Sequence, residues 1–158
     1  MIDVEVPWWK RLRLQTLVLD VNGTLALDGD LLPGVTQRVR TLGDRLETVL
    51  LLSADTFGGL DRTADALSVS ATRLEPGGNE ASQKAAVVRS LGPDSVVAIG
   101  NGANDADMLR EAALGICVLG PEGASLAAIQ ASDLLAASIT EALDLLISPT
   151  RLVAGLRR

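Results

Sequence analysis

The sequence contains no histidine, and its one cysteine is Cys117. The missing histidine excludes Ser-His-Asp and Cys-His catalysis and the usual zinc sites. A single cysteine excludes an internal disulfide and is typical of the reducing cytoplasm, so we expect a cytoplasmic protein. Any chemistry must come from Asp, Glu, Lys, Ser, Thr, Asn and backbone groups, which are suited to phosphate and to oxygen-ligated cations.

Aromatic residues, clustered basic residues and long apolar runs are also scarce. Trp8, Trp9 and Phe57 are the only aromatic residues, although 47% of the chain is hydrophobic, so the core must be aliphatic. No apolar run approaches the roughly 20 residues that span a membrane, so we expect no membrane partner. The net charge of −6 argues against nonspecific nucleic-acid binding, which needs clustered Lys and Arg.

Short apolar segments alternate with amphipathic segments along the chain. The pattern predicts strands that end at Asp20 and Ser53, and further strands over 68–74, 95–100, 114–120 and 133–137. Helices are predicted over 33–46, 57–67, 79–91 and 105–113, then one with Pro121 in its first turn, and a last one from Ser138 to before Pro149.

Nearly all-apolar strands that alternate with helices predict a parallel sheet covered on both faces. We therefore expect an α/β fold with a three-layer, doubly wound, mostly parallel sheet, in one domain over 1–158. Residues 1–13 are interpreted as an edge hairpin extension, in which 2–7 pair with 10–15. In such folds the ligand binds at the carboxyl ends of the strands.

Three polar clusters fall at predicted strand ends. The segment DVNGTL, residues 20–25, places the carboxylate of Asp20 before a loop whose N–H groups, at Gly23 and Thr24, can bind an anion. Ser53 ends the second strand, where its hydroxyl could hold a phosphate oxygen. The segment GNGANDADML, residues 100–109, is rich in the oxygen ligands that Mg²⁺ prefers.

Lys84, near the start of a predicted helix, is a fourth candidate because an ammonium group can neutralise a transferring phosphoryl group. Each feature alone also has a plain structural explanation. Asp20 can start a turn, and Ser53 can simply end a strand. Lys84 can be a solvated side chain, and Asp105 can cap a helix.

Taken together, the clusters resemble the haloacid dehalogenase (HAD) superfamily in order, spacing and setting. That family combines a DxDGT-type first motif, a Ser or Thr at the second strand end, a Lys and a GDxxxD-type acidic motif. GNGANDADML is most similar to the GDGxNDxxML segment of P-type ATPase phosphorylation domains and their soluble relatives. The resemblance runs from about Leu14 to the C-terminus.

The resemblance implies a Mg²⁺-dependent phosphatase or phosphotransferase that forms an aspartyl-phosphate on Asp20. It implies that the catalytic residues are Asp20, Asn22 and Lys84. It implies that the phosphate-binding residues are Gly23, Thr24, Ser53, Ala54 and Lys84. The implied Mg²⁺ ligands, direct or through water, are Asp20, the backbone carbonyl of Asn22, Asn101 and Asp105.

Two positions depart from the family pattern. Typical HAD phosphatases carry an aspartate two residues after the nucleophile as general acid/base, but this chain has Asn22. An amide does not shuttle protons at neutral pH, so we expect slow hydrolysis of the phosphoenzyme. Asn101 stands where the family usually has aspartate, and because it adds no negative charge we expect weaker Mg²⁺ binding.

The intervals from Asp20 to Ser53 and from Ser53 to Lys84 are too short for the family's cap domains. A capless site suits large substrates or closure by a second copy of the chain. The expected substrate is a phosphorylated small molecule or a phosphoprotein. A homo-oligomer is one way to close the site, with Trp8 and Trp9 as contact residues or as part of a local hydrophobic hairpin. The alternatives to an enzyme are a catalytically weakened module that binds phosphate or a regulatory partner, and a companion to a transport ATPase.

Overall fold

The computed structural model describes residues 1–54 and 59–158. Six strands in this part of the chain form a fully parallel sheet in the order β10-β9-β8-β3-β6-β7. The strands are β1 (Ile2–Glu5), β2 (Arg11–Leu14), β3 (Thr16–Asp20), β4 (Ala26–Leu27), β5 (Asp30–Leu31), β6 (Thr48–Ser53), β7 (Ser70–Arg73), β8 (Val96–Gly100), β9 (Leu114–Val118) and β10 (Leu134–Ala136).

Helices cover both faces of the sheet, which confirms the predicted three-layer α/β fold. The α-helices are α1 (Val35–Gly43), α2 (Gly59–Leu67), α3 (Glu80–Ser90), α4 (Ala106–Glu111), α5 (Leu126–Ala131), α6 (Ile139–Ile147) and α7 (Pro149–Leu156). One layer contains α1, α2, α6 and α7, and the other contains α3, α4 and α5. Leu17 and Leu19 of β3 pack on the first layer, while Val18 packs on the second.

The alternation of side chains along β3 determines where Asp20 points. Successive strand residues face opposite sides of the sheet, so Asp20 shares the face of Val18, toward the layer that contains α3. Lys84 lies in α3, and the 3₁₀-helix Ala103–Asp105 follows β8, the neighbour of β3. The fold therefore brings the first and last sequence motifs to one side of one sheet edge.

Several local predictions are corrected by the structure. The N-terminal hairpin forms, but β1 and β2 make a separate two-stranded antiparallel sheet instead of extending the main one. Pro121 is not in a helix, since it lies in a turn and α5 begins only at Leu126, where Ser125 caps the helix by accepting a hydrogen bond from the backbone N–H of Ala128.

The loop that follows Asp20 and the C-terminus also hold elements that the sequence pattern missed. The loop contains the short antiparallel pair β4–β5. α6 ends before Pro149 as predicted, but α7 then begins at Pro149. Proline is favoured at a first helical position, and α7 buries Leu152 and Leu156 at a spacing of four residues.

No cap domain is present in the part of the chain that the structure describes. Between β3 and β6 lie only β4, β5 and α1, and between β6 and α3 the described residues form α2 and β7. The predicted start of α2 at Phe57 lies outside the described residues. Within the described ranges, no helix combines the length and apolar character of a membrane span.

The two tryptophans of the N-terminal hairpin differ in environment. Trp8, whose φ of 65° is left-handed, is 87% exposed. Trp9 is partly buried against the main core, and the Lys10 ammonium lies 4.2 Å from its ring centroid. A contact between copies of the chain stays a prediction, and Trp8 is the residue available for it.

Candidate active site

Lys84 lies between two carboxylates at the floor of the site. Its Nζ donates to Asp20 Oδ1 and to Asp105 Oδ1, each at 2.6 Å. The three residues come from α3, the end of β3 and the 3₁₀-helix after β8, and their exposures are 1%, 7% and 0%. The structure thus excludes the solvated interpretation of Lys84 and brings together three predicted site residues.

The electrostatics of this group follow from burial and charge. Burial raises the pKa of Asp20 to about 6, and the nearby Asp105 carboxylate adds to the rise, although Lys84 opposes it. Burial alone would lower the pKa of Lys84, but Asp20 and Asp105 outweigh it, so the pKa of Lys84 is raised. The lysine therefore remains a cation beside a carboxylate that burial has made more basic than usual.

The second oxygen of Asp105 organises the loop that follows β8. Asp105 Oδ2 accepts hydrogen bonds from the backbone N–H groups of Asn101 and Gly102, each at 2.9 Å. The β8 end at Gly100 approaches this carboxylate so closely that a β-carbon there would lie 2.5 Å from it. Asp105 stands at the N-cap position of α4, as predicted, but its side chain makes no capping bond to that helix and instead binds the loop backbone and Lys84.

Asn101 connects the loop after β8 to the loop that follows Asp20. The Thr24 hydroxyl donates to Asn101 Oδ1 at 3.1 Å, and Asn101 Nδ2 donates to the carbonyl of Gly123 at 3.0 Å. Gly23 has a left-handed φ of 78°, and its N–H donates to the Ala26 carbonyl at 2.8 Å. The N–H groups of Gly23 and Thr24, predicted to bind phosphate, are therefore used inside the loop.

Ser53 and Asn22 form the opposite wall. Ser53 is buried, and its hydroxyl lies 3.4 Å from Asn22 Nδ2. Asn22 is exposed, and Ala54 is half-buried at the cleft wall beside Ser53. Asn22, at the position where the resemblance implies a general acid, thus lines the cleft beside Ser53 and carries an amide.

An open cleft of about 810 Å³ lies above these residues. It is lined by predicted site residues and by others that were not predicted as such: Glu80, Gly102, Asn104, Glu122, Gly123, Ala124 and Ser125. A signal for the missed segment was available, because Gly-Pro-Glu-Gly after β9 is typical of a turn at a strand's carboxyl end. Assigning Pro121 to a helix start hid that turn.

The donor set fits a hard divalent cation that keeps much of its hydration. Among the described residues, no three His, Cys, Asp or Glu side chains are grouped so as to hold a metal. The cleft nevertheless offers oxygen donors from the Asp20 carboxylate and the Asn101 amide. Mg²⁺ commonly uses one or two carboxylates, with waters and substrate phosphate completing the coordination.

One curated relative shares high identity with part of the chain. An uncharacterized protein of Methanocaldococcus jannaschii is 50% identical over 62 residues, which are 39% of this chain and 67% of that protein. No protein-family model matches the chain. The archaeal protein's name states no activity, so this relationship shows a common family but says nothing about function.

Solved structures share the fold at low sequence identity. A HAD family hydrolase of Streptomyces avermitilis superposes with a TM-score of 0.69 at 18% identity, covering 87% of both chains. The 3-deoxy-D-manno-octulosonate 8-phosphate phosphatase of Moraxella catarrhalis, in complex with magnesium, phosphate and its sugar, gives 0.68 at 17% identity, covering 89% of this chain and 92% of that one. The chain therefore has the HAD-like fold and belongs to the same family as the uncharacterized archaeal protein.

Proposed function

We propose that the protein is a Mg²⁺-dependent phosphatase that acts through an aspartyl-phosphate on Asp20. The observation that carries the proposal is the Lys84 ammonium, buried at the floor of an open cleft between Asp20 and Asp105. A buried cation beside a strand-end carboxylate is suited to an incoming phosphoryl group. Support also comes from the fold shared with the Moraxella phosphatase.

The first chemical step is displacement at phosphorus by Asp20. A carboxylate oxygen forms a bond to phosphorus as the bond to the leaving oxygen breaks, and the leaving oxygen takes a proton from solvent. Lys84 balances the negative charge that builds up, while the Ser53 hydroxyl binds a phosphate oxygen. Water then hydrolyses the aspartyl-phosphate, which returns Asp20 as a carboxylate and releases inorganic phosphate.

The residues proposed to hold Mg²⁺ are Asp20, the backbone carbonyl of Asn22, and Asn101. Both oxygens of Asp105 already bind Lys84 or the loop backbone, so Asp105 would contact the cation only through a water. The bound cation supplies positive charge that lets an anionic carboxylate approach an anionic phosphate.

The cleft is open, so the proposed substrate is a phosphorylated small molecule or a phosphorylated side chain that projects from a protein. Turnover is proposed to be slow for two reasons. Asn22 supplies no proton, and the described residues contain no cap domain that would exclude water from the site.

The test is hydrolysis of p-nitrophenyl phosphate with and without MgCl₂. We expect turnover that depends on Mg²⁺ and is lost in Asp20→Asn, whose side chain has the same shape but is a poor nucleophile. Asp28→Asn is the matched control, because Asp28 is exposed and does not line the cleft. Turnover that survives in Asp20→Asn would contradict the assignment of the nucleophile.

A second candidate is a phosphate-binding regulatory module that has lost turnover. The observation that favours it is the presence of amides, Asn22 and Asn101, at two positions where the resemblance implies acids. Incubation with a ³²P-labelled acyl phosphate separates the candidates. A slow enzyme accumulates an acid-stable, hydroxylamine-labile label on Asp20, whereas a binding module retains no covalent label.

A further inference from the structure

The turn between β9 and α5 brings a carboxylate into the cleft that the sequence motifs do not include. Residues 120–123 form a tight turn in which the Gly123 N–H donates to the Gly120 carbonyl at 2.9 Å. Glu122 lies at the third position of this turn and lines the cleft together with Asp20 and Asn101.

Contacts with the loop after β8 and with the loop after Asp20 fix this turn in place. The Gly123 carbonyl accepts from Asn101 Nδ2 at 3.0 Å, and the Ser125 N–H donates to the Asn101 carbonyl at 2.9 Å. Gly120 lies against the loop after Asp20, where an added β-carbon would be 2.6 Å from the Gly23 carbonyl oxygen. The backbone that carries Glu122 is thus held from two sides.

The Glu122 carboxylate lies directly over Gly23. A β-carbon at Gly23 would overlap the Glu122 carboxylate and would lie 3.0 Å from Asn101 Nδ2. The carboxylate is therefore on the Asn101 side of the cleft. Asn22 instead faces the opposite wall, where its side chain meets Ser53. This placement associates Glu122 with the cation site instead of with the missing general acid.

The two carboxylates at the floor are already paired with Lys84, so a bound cation would gain from another negative charge nearby. Lys84 already pairs with both Asp20 and Asp105, and Asn101 contributes an oxygen without charge. Cations such as Mg²⁺ and Mn²⁺ bind more tightly as the number of carboxylates near them rises. A carboxylate beside Asn101 would therefore supply what the amide lacks.

We propose that Glu122 is a metal-binding residue of this site, which supplies, directly or through a water, the negative charge that Asn101 does not carry. The inference rests on the proposed metal-dependent function. It gives the β9–α5 turn a role that neither the motifs nor the shared fold assigns to it.

The test is Mn²⁺ binding to the substrate-free protein, measured by electron paramagnetic resonance of free Mn²⁺. Glu122→Gln removes the charge and keeps the shape, and we expect it to weaken Mn²⁺ binding about tenfold. Glu80→Gln is the matched control, because Glu80 also lines the cleft but lies on α3 next to Asn104. We expect the control to stay within about twofold of wild type.

Restoring the charge at position 101 sharpens the test. Adding Asn101→Asp to Glu122→Gln should return Mn²⁺ affinity to at least the wild-type value, since the acid is then supplied from the neighbouring position. Unchanged melting temperatures without metal would establish that each variant is folded.

The contrary outcomes are distinguishable. Equal binding by wild type and Glu122→Gln would overturn the role of Glu122 and leave the metal-dependent phosphatase intact. Equal losses of Mn²⁺ affinity in Glu80→Gln and Glu122→Gln would reveal a general charge effect and would also overturn the role of Glu122. Absence of Mn²⁺ binding by wild type would overturn both the metal dependence and this inference.

Discussion

The floor and the rim of the cleft differ in burial and in how their charges are paired. At the floor, Lys84 and its two carboxylates are buried and bonded to one another from three different elements. At the rim, Asn22 and Glu122 are exposed and reach the cleft from loops. The floor is therefore part of the fold, whereas the side chains at the rim can change with little effect on stability.

Burial makes the floor sensitive to loss of a partner. Removing the Lys84 ammonium would leave two desolvated carboxylates without a cation between them, which is strongly destabilising. The same groups are the ones on which phosphoryl transfer would depend. Substitutions at the floor should therefore affect folding and chemistry together, and substitutions at the rim should affect chemistry alone.

Among the substitutions considered, Lys84→Met should change stability and turnover most. Loss of the ammonium leaves Asp20 and Asp105 facing each other without a cation, so we expect a loss of about 3–5 kcal/mol in the free energy of unfolding. We expect phosphatase turnover to fall by about 10³-fold or more. Urea unfolding and p-nitrophenyl phosphate hydrolysis measure the two effects.

The chain offers a matched control, because its only other lysine is Lys10. Lys10 is exposed and lies over the Trp9 ring in the N-terminal hairpin. Lys10→Met should change the free energy of unfolding by about 1 kcal/mol or less and leave turnover unchanged. If Lys84→Met were as mild, the distinction between floor and rim would be wrong.

The next largest effect concerns Asn22→Asp at the rim. The new carboxylic acid would donate a proton to the leaving oxygen and then activate water, so we expect turnover to rise by about 10²-fold or more with little change in melting temperature. Single-turnover decay of the phosphoenzyme is the direct measurement. Asn104→Asp adds the same charge to the same cleft, and a comparable acceleration there would show that position 22 is not special.

A smaller effect is expected where the β9–α5 turn touches the loop after Asp20. In Gly120→Ala the new methyl group would meet the Gly23 carbonyl oxygen at 2.6 Å, so one loop must shift. We expect a loss of about 1–3 kcal/mol in the free energy of unfolding and reduced turnover. Gly43→Ala, at the end of α1 with open space around it, should be neutral or slightly stabilising.

The sequence predicted the fold best where a single property of the residues, such as continuous apolar character in a buried strand, determines the structure. The alternation of apolar strands with amphipathic helices predicted the three-layer sheet, because buried parallel strands need little more than continuous apolar side chains. Strand ends then located Asp20, Ser53 and the 101–105 loop. The family resemblance implied that Lys84 balances the charge of Asp20, but its second bond, to Asp105, could not be predicted, because it depends on which face of β3 packs against α3.

Sequence reasoning failed where backbone geometry decided the outcome. Pro121 is compatible with a helix start and with the second position of a turn, and the sequence does not show that Gly120 packs against Gly23. The loop hydrogen bonds of the Gly23 and Thr24 N–H groups were likewise not foreseen, and phosphate binding by these two residues stays a prediction. Both cases involve local hydrogen bonds that residue types alone leave undetermined.

A weaker effect concerns how the stability of metal-free Asp20→Asn depends on pH. Because the pKa of Asp20 is raised to about 6 in the folded state, its contribution to stability is fully present below the unfolded value of about 3.9 and is lost as the pH rises through 6. The asparagine variant does not titrate there. Its melting temperature relative to wild type should therefore be higher at pH 7 than at pH 4.

Asp144→Asn should show the opposite sign. Asp144 makes a two-pronged ion pair with Arg38, at 2.8 and 2.9 Å, which joins α1 to α6. The hydrogen bonds from Arg38 lower the pKa of Asp144, so its contribution is present above the unfolded value and is lost as the pH falls. Asp144→Asn should thus be less stable than wild type at pH 7 and should approach it at low pH. The prediction would be wrong if the melting temperatures of both variants, relative to wild type, changed with pH in the same direction. Burial would then not raise the pKa of Asp20 above its unfolded value.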